Sequence, residues 1–89
     1  MALTPLRIPK HLKKKLEKKP PEMQGAIVAC LRQLREDWRH PSLGSSKLGG
    51  TGNIYHAKVS RGNRVTFYWE DGWIVVENHC HHDILKAYK

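Results

Sequence analysis

Three runs decide how this chain folds: Ile54-Tyr55-His56-Ala57-Lys58-Val59-Ser60, Arg64-Val65-Thr66-Phe67-Tyr68-Trp69-Glu70 and Trp73-Ile74-Val75-Val76-Glu77-Asn78-His79. Each alternates with period two, is rich in β-branched and aromatic residues and is bounded by a glycine-containing turn, so each is predicted to be a strand. In the first, Tyr55, Ala57 and Val59 face a core while His56 and Lys58 point the other way. In the second, Val65, Phe67 and Trp69 alternate with Arg64, Thr66 and Tyr68. The result is a sheet with one apolar and one cationic face.

Register follows from the turns, because a slip of one residue sends the apolar set of a strand to the wrong face. Asp71-Gly72 is the sequence of a two-residue type I′ hairpin. It pairs Glu70 with Trp73, and counting back it sets Tyr68 opposite Val75, Thr66 opposite Glu77 and Arg64 opposite His79. A three-residue loop Arg61-Gly62-Asn63 keeps Lys58 on the face of Thr66. On this reading His56, Lys58, Arg64, Thr66, Glu77 and His79 share one surface.

Upstream the periodicity is helical. Ile8, Leu12 and Leu16 form one stripe among Lys10, Lys13, Lys14, Lys15, Lys18 and Lys19, and Pro20-Pro21 ends that helix. A second helix is predicted from about Pro21 to Trp38, with Met23, Ile27, Cys30, Leu31, Leu34 and Trp38 spaced to cover the apolar face of the sheet. Leu3 to Ile8 reads either as an edge strand or as a lead into the first helix. Residues 39–52 form a Ser/Gly-rich connection with room for a short Lys47-Leu48 strand that carries side chains towards the cationic face. The fold class is α+β, a single domain over residues 1–89, with two N-terminal helices on one face of a small, mainly antiparallel sheet.

The chain carries 16 Lys and Arg against 8 Asp and Glu, a formal charge of +8, which favours a polyanionic partner over a neutral metabolite. Nucleic acid is the first candidate and an acidic protein the second. Cys30 and Cys80 form no CxxC pair, which argues against a disulfide framework or zinc finger and for a reducing cytoplasm. No apolar run has the length of a membrane span, and the N-terminus has no signal-peptide h-region. The expectation is a soluble cytoplasmic protein without a membrane association.

Several motifs then occur in a telling order: His40-Pro41-Ser42-Leu43, Lys47-Leu48-Gly49-Gly50, Tyr55-x-Ala57-x-Val59, Gly62-x-Arg64-Val65-x-Phe67 and Asn78-His79-Cys80-His81-His82-Asp83. This pattern resembles the RelE/ParE superfamily of bacterial toxins from toxin-antitoxin modules, above all its RelE-like and YafQ-like mRNA interferases. The resemblance implies a RelE-like sheet packed on two helices, with RNA on the side opposite them. It implies that Lys58 and Arg64 stabilise the scissile phosphate, and that His40 and His81 are the two histidines flanking the active site. His56 stands where another lysine of the family sits, so its charge depends on pH. The first strand of the family is weak here, and a late aromatic falls on Tyr88.

Cutting RNA without a metal requires a base for the 2′-OH proton, cations for the phosphorane charge and an acid for the leaving 5′-oxygen. The histidines supply the proton-transfer candidates, His81 first, then His79, His82 and His40, with Glu77 as a further acid or base. His56, Lys47, Arg61, Tyr68 and His79 are candidate RNA contacts, Tyr68 because its parity places an aromatic ring outside, where a base can stack. Each has a plainer reading. The lysines of the first helix read as a solvated face, His40 before Pro41 as the closure of a turn, Lys58 and Arg64 as cross-strand surface charges, and Glu77 as an ion-pair partner. Trp69 and Phe67 read as core. Adjacent residues of an extended segment point to alternate sides, so at most two of His79, Cys80, His81 and His82 converge on one ion; no metal site and no cofactor is expected.

The leading expectation is a ribosome-dependent endoribonuclease that cuts mRNA by 2′-OH attack, held by ribosomal RNA and neutralised by a cognate antitoxin protein. The alternatives are a ParE-like topoisomerase inhibitor without RNA chemistry and an inactive basic RNA-binding module. One fold serves all of these, so architecture alone does not choose.

Overall fold

In a computed structural model, which describes residues 3–48 and 53–81, the three runs are strands β3 (Tyr55–Ser60), β4 (Asn63–Glu70) and β5 (Trp73–His81). Before them come β1 (Leu6–Arg7), helices α1 (Lys10–Glu17) and α2 (Pro21–Asp37), a 3₁₀ turn at Pro41–Leu43, and β2 (Ser46–Lys47). The sheet order is β1-β5-β4-β3-β2. β1 runs parallel to β5 and every other pair is antiparallel. The open question at the N-terminus is thereby answered: Leu6 and Arg7 add an edge strand opposite Ile74 and Val75. The predicted Lys47-Leu48 strand is Ser46–Lys47, and Leu48 bonds through its amide to the carbonyl of Ile54.

Both helices begin where proline permits. Pro9 and Pro20 occupy the N-cap positions, and Pro21 opens α2 where a missing N–H costs nothing. Along α2, Ile27, Cys30, Leu31 and Leu34 are buried, with Met23 and Trp38 packed at the edges of the stripe. Burying each large aliphatic side chain contributes roughly 1.5 to 3 kcal/mol before entropy is set against it. These residues meet Ala57, Val65, Phe67, Ile74 and Val76, the apolar face predicted from alternation. At the C-terminal end of α2, Trp38 stands edge-on to Tyr55 and Trp69, with ring centroids 5.5 and 5.6 Å apart.

The Asp71-Gly72 turn has the geometry its sequence requires: φ is 51° at Asp71 and 81° at Gly72, both left-handed as in type I′. From it the predicted register runs true through Glu70↔Trp73, Tyr68↔Val75 and Phe67↔Val76. It then breaks. Glu77 is an extra residue in β5, so Thr66 pairs with Asn78, Val65 with His79, Arg64 with Cys80 and Asn63 with His81. The expected pairings Thr66/Glu77 and Arg64/His79 are therefore wrong by one position. A bulge of this kind takes a residue out of the ladder, and local groups must then satisfy the backbone. Asn78 does so: its Oδ1 accepts from the His79 amide at 2.9 Å.

A second irregularity replaces the expected three-residue loop. Arg61 and Gly62 form a two-residue turn between Ser60 and Asn63, and the odd residue is Val59, bulged out of β3. The parity argument survives the change, because Lys58 lies directly opposite Arg64 and His56 opposite Thr66.

Candidate nucleic-acid interface

The face turned away from the helices carries His56 and Lys58 from β3, Arg64, Thr66 and Tyr68 from β4, and Glu77 from β5. Lys58 is exposed and Arg64 half-buried. Arg64 is anchored by one nitrogen: Nη1 donates to the carbonyls of Ser60 at 2.9 Å and Asn63 at 3.0 Å, and weakly to that of Arg61. The β3-β4 turn thus fixes the guanidinium, and among the described residues Nε and Nη2 take no hydrogen bond. Such a pre-set fork suits the paired oxygens of a phosphate. Thr66 is fully buried and donates from Oγ1 to Glu77 Oε1 at 3.0 Å.

His56 is half-buried. Its Nε2 lies 2.7 Å from Ser46 Oγ, and its Nδ1 is buried without a partner among the described residues. Burial, and then the nearby Arg64 charge, hold its pKa below the ordinary value, so at neutral pH it is an uncharged hydrogen-bonding group. Ser46 is a contact that the sequence did not advertise, since only the β2-β3 register sets Ser46 opposite His56. Lys47, expected over the cationic face, instead pairs with Tyr55, on the parity of the core, and is exposed at the edge of the sheet.

The bulge at Glu77 corrects the placement of the histidines. His79 does not join the cationic face: opposite Val65 it turns to the helix side and is 5% exposed. Burial, with Lys19 and Lys15 adding to it, lowers its pKa. Cys80 takes the place predicted for His79, opposite Arg64, and burial raises its thiol pKa. His81, opposite Asn63, shares the parity of His79 but lies at the end of the strand. A Cβ added to Gly62 would come within 3.2 Å of its Nε2. The His81 ring therefore borders the same short turn whose carbonyls hold Arg64, at the rim of the cationic face rather than on it.

His40 is engaged in the 3₁₀ turn, where its Nδ1 accepts from the Ser42 amide at 3.1 Å and lies 2.8 Å from Ser42 Oγ. Arg61 is exposed in the β3-β4 turn, and Tyr68 is half-buried on the outer face. His82 and Tyr88 lie outside the described residues, as do Gly49 and Gly50 of the connecting motif. Cys30 is buried in α2, its thiol pushed up to about 12 by desolvation, which leaves it unreactive at neutral pH. Among the described residues no three His, Cys, Asp or Glu side chains converge to hold a metal ion, and no helix is long and apolar enough to cross a membrane.

No protein-family model matches this chain, and no curated protein matches it by sequence. Its similarity is to solved structures. The archaeal RelE-RelB complex from Pyrococcus horikoshii OT3 aligns with TM-score 0.70 at 22% identity, covering 91% of this chain and 96% of that one. The toxin-antitoxin complex RelBE2 from Mycobacterium tuberculosis aligns at 0.71 with 17% identity, covering 90% and 99%. A mutant of the E. coli toxin RelE in the free state aligns at 0.70 with 21% identity, covering 99% and 92%. Two helices laid on one face of a five-stranded mixed sheet, over nearly the full length of these toxins, give this chain the RelE-like fold.

Proposed function

We propose that this chain is the toxin of a toxin-antitoxin pair and acts as a metal-independent endoribonuclease on mRNA in the ribosome. The observation that carries the reading is the direct pairing of Lys58 with Arg64 on the face opposite the helices, with the guanidinium pre-set by the turn carbonyls. The fold of the RelE neighbours supports the toxin role, and the net charge of +8 supports a ribosomal RNA surface as the place of action. Two of the neighbours are complexes with an antitoxin, which supports a cognate antitoxin protein as the partner here. Toxin, antitoxin and ribosome would meet in the cytoplasm.

In the reaction, a base takes the 2′-OH proton and the 2′-oxygen attacks the adjacent phosphorus. The bond to the 5′-oxygen breaks, and an acid protonates that oxygen, leaving a 2′,3′-cyclic phosphate and a 5′-hydroxyl. Lys58 and Arg64 stabilise the charge of the phosphorane. His81, at the rim beside Gly62, is the first candidate for a proton-transfer role, with His82 and His40 after it. Glu77 is coupled to Thr66 and His56 to Ser46, which suits them to positioning and to RNA contact together with Tyr68 and Arg61.

A translating-ribosome assay with primer extension tests this. Wild-type protein is expected to cut mRNA, Lys58→Ala and Arg64→Ala to lose cleavage by a hundredfold or more in order of magnitude, and His81→Ala to lose about 100- to 10,000-fold. Intact mRNA at high protein concentration would overturn the proposal, and inhibition of gyrase supercoiling in its place would point to the topoisomerase inhibitor.

A further inference from the structure

On the helix side of the sheet, between the end of α1 and the last residues of β5, lies a cavity of about 340 Å³ lined by Lys15, Lys19, Asn63, Asn78, His79 and His81. The cationic face does not account for it. His79 is 95% buried, being 5% exposed, yet neither of its ring nitrogens has a hydrogen-bond partner among the described residues. Buried polar atoms are almost always paired, so an imidazole left without partners in the wall of a polar cavity marks a place for a ligand. Among the described residues no carboxylate lines the cavity, and Cys80 is the remaining one that does.

Charge and geometry specify the ligand. Lys15 spends part of its ammonium on Asn78 Oδ1 at 3.0 Å and on the His79 carbonyl at 3.5 Å, while Lys19 makes no side-chain hydrogen bond or ion pair among the described residues. The carbonyls of Lys15 and Leu16, which would repel an anion, are already taken by the amides of Lys18 and Lys19 at 3.3 and 3.1 Å. With its Oδ1 engaged, Asn78 has its Nδ2 left to donate. Two ammonium groups, an amide and an imidazole N–H suit a tetrahedral oxyanion, and among the described residues no Trp, Tyr or Phe lines the cavity to stack on a base. We propose that this cavity binds a single phosphate group, held by Lys15, Lys19 and His79, and that its source is the backbone of an RNA strand that also meets the cationic face. The source rests on the function proposed above; the phosphate chemistry does not.

An anion here also reverses the surroundings of His79. Burial and the facing charges Lys19 and Lys15 disfavour its protonated form, Cys80 and His81 are the other titratable groups of the cavity among the described residues, and a bound phosphate favours the proton.

The test is an NMR titration of the full chain with sodium phosphate, against sodium chloride at matched ionic strength. Saturable shifts at Asn63, Asn78 and His79 with phosphate only, and a His79 pKa that rises as phosphate binds, are the expected results. K19Q, which leaves the Lys15 to Asn78 bond whole, is expected to weaken phosphate binding about tenfold, the loss of one charge-assisted hydrogen bond. Equal shifts in chloride, or unchanged binding in both K19Q and K15Q/K19Q, overturn the site. A short 2′-O-methyl RNA is then added: displacement of phosphate supports RNA as the source, and no displacement overturns that part. Wild-type protein that cuts mRNA but binds no phosphate here overturns this inference and spares the proposed function. Phosphate bound here by protein that cuts no mRNA does the reverse.

Discussion

The Lys15 ammonium meets Asn78 Oδ1 at 3.0 Å, so α1 is tied to β5 one residue beyond the bulge that turns the strand. The same oxygen accepts the His79 amide, and one side chain therefore holds both a helix and a displaced backbone.

Asn78→Ala removes both bonds and leaves the part-buried His79 amide without its acceptor. A loss of about 1 to 2 kcal/mol is expected, read as a lower urea midpoint at unchanged m-value. Lys15→Ala removes only the exposed partner and is expected to cost less than about 1 kcal/mol.

Acid should destabilise the protein through His79 and His56. In the unfolded chain each titrates near 6.5, and in the fold each lies lower. As pH falls below about 6.5 the unfolded chain takes up protons that the folded one does not, so stability falls until the folded pKa is passed. Urea midpoints from pH 7.5 to pH 5 are expected to drop, and His79→Phe to flatten the profile. A flat wild-type profile would contradict the burial assigned to these rings.

Gly62→Ala is a test of His81 alone. The new Cβ would stand 3.2 Å from His81 Nε2 and 3.6 Å from Cδ2, contacts with the end of a side chain that can swing away. Stability should change by less than about 1 kcal/mol, while the His81 ring resonances shift. If His81 transfers a proton, mRNA cleavage falls and affinity for uncleavable RNA holds.

Salt dependence separates phosphate contacts from structural charges. Lys58→Ala and Arg64→Ala are each expected to reduce the slope of log affinity against log salt for single-stranded RNA by about 0.7. Arg7→Ala should leave it unchanged, because Arg7, in the edge strand β1, is engaged at 3.1 Å with Glu70.

Most of this architecture can be read from the chain because the deciding signals are local. Asp71-Gly72 names its own turn, and the α2 stripe and the alternation from Tyr55 to Val76 name the buried face. The position of His79 could not be read in this way. Parity propagates from a turn only until a residue leaves the ladder, and Glu77 leaves it with no glycine to mark the place; what accommodates it is Asn78, which accepts the next amide locally and meets Lys15 only once α1 has docked. Ser46 was hidden for a related reason: its partner His56 is ten residues away and is fixed by a pairing of only two residues. The histidine-rich end of β5 was legible as chemistry but not as geometry, and its continuation from His82 lies outside the described residues.

The two irregular positions share one further property. Val59 falls in the part of β3 beyond its pairing with β2, and Glu77 in the part of β5 beyond its pairing with β1. These are the lengths of strand that, among the described residues, have a neighbour on one side only. A foreign strand arriving there meets a kinked and twisted template, a recognised defence against edge-to-edge aggregation. The distortion that carries His79 under the helices also spoils one rim of the sheet as a seed for fibrils.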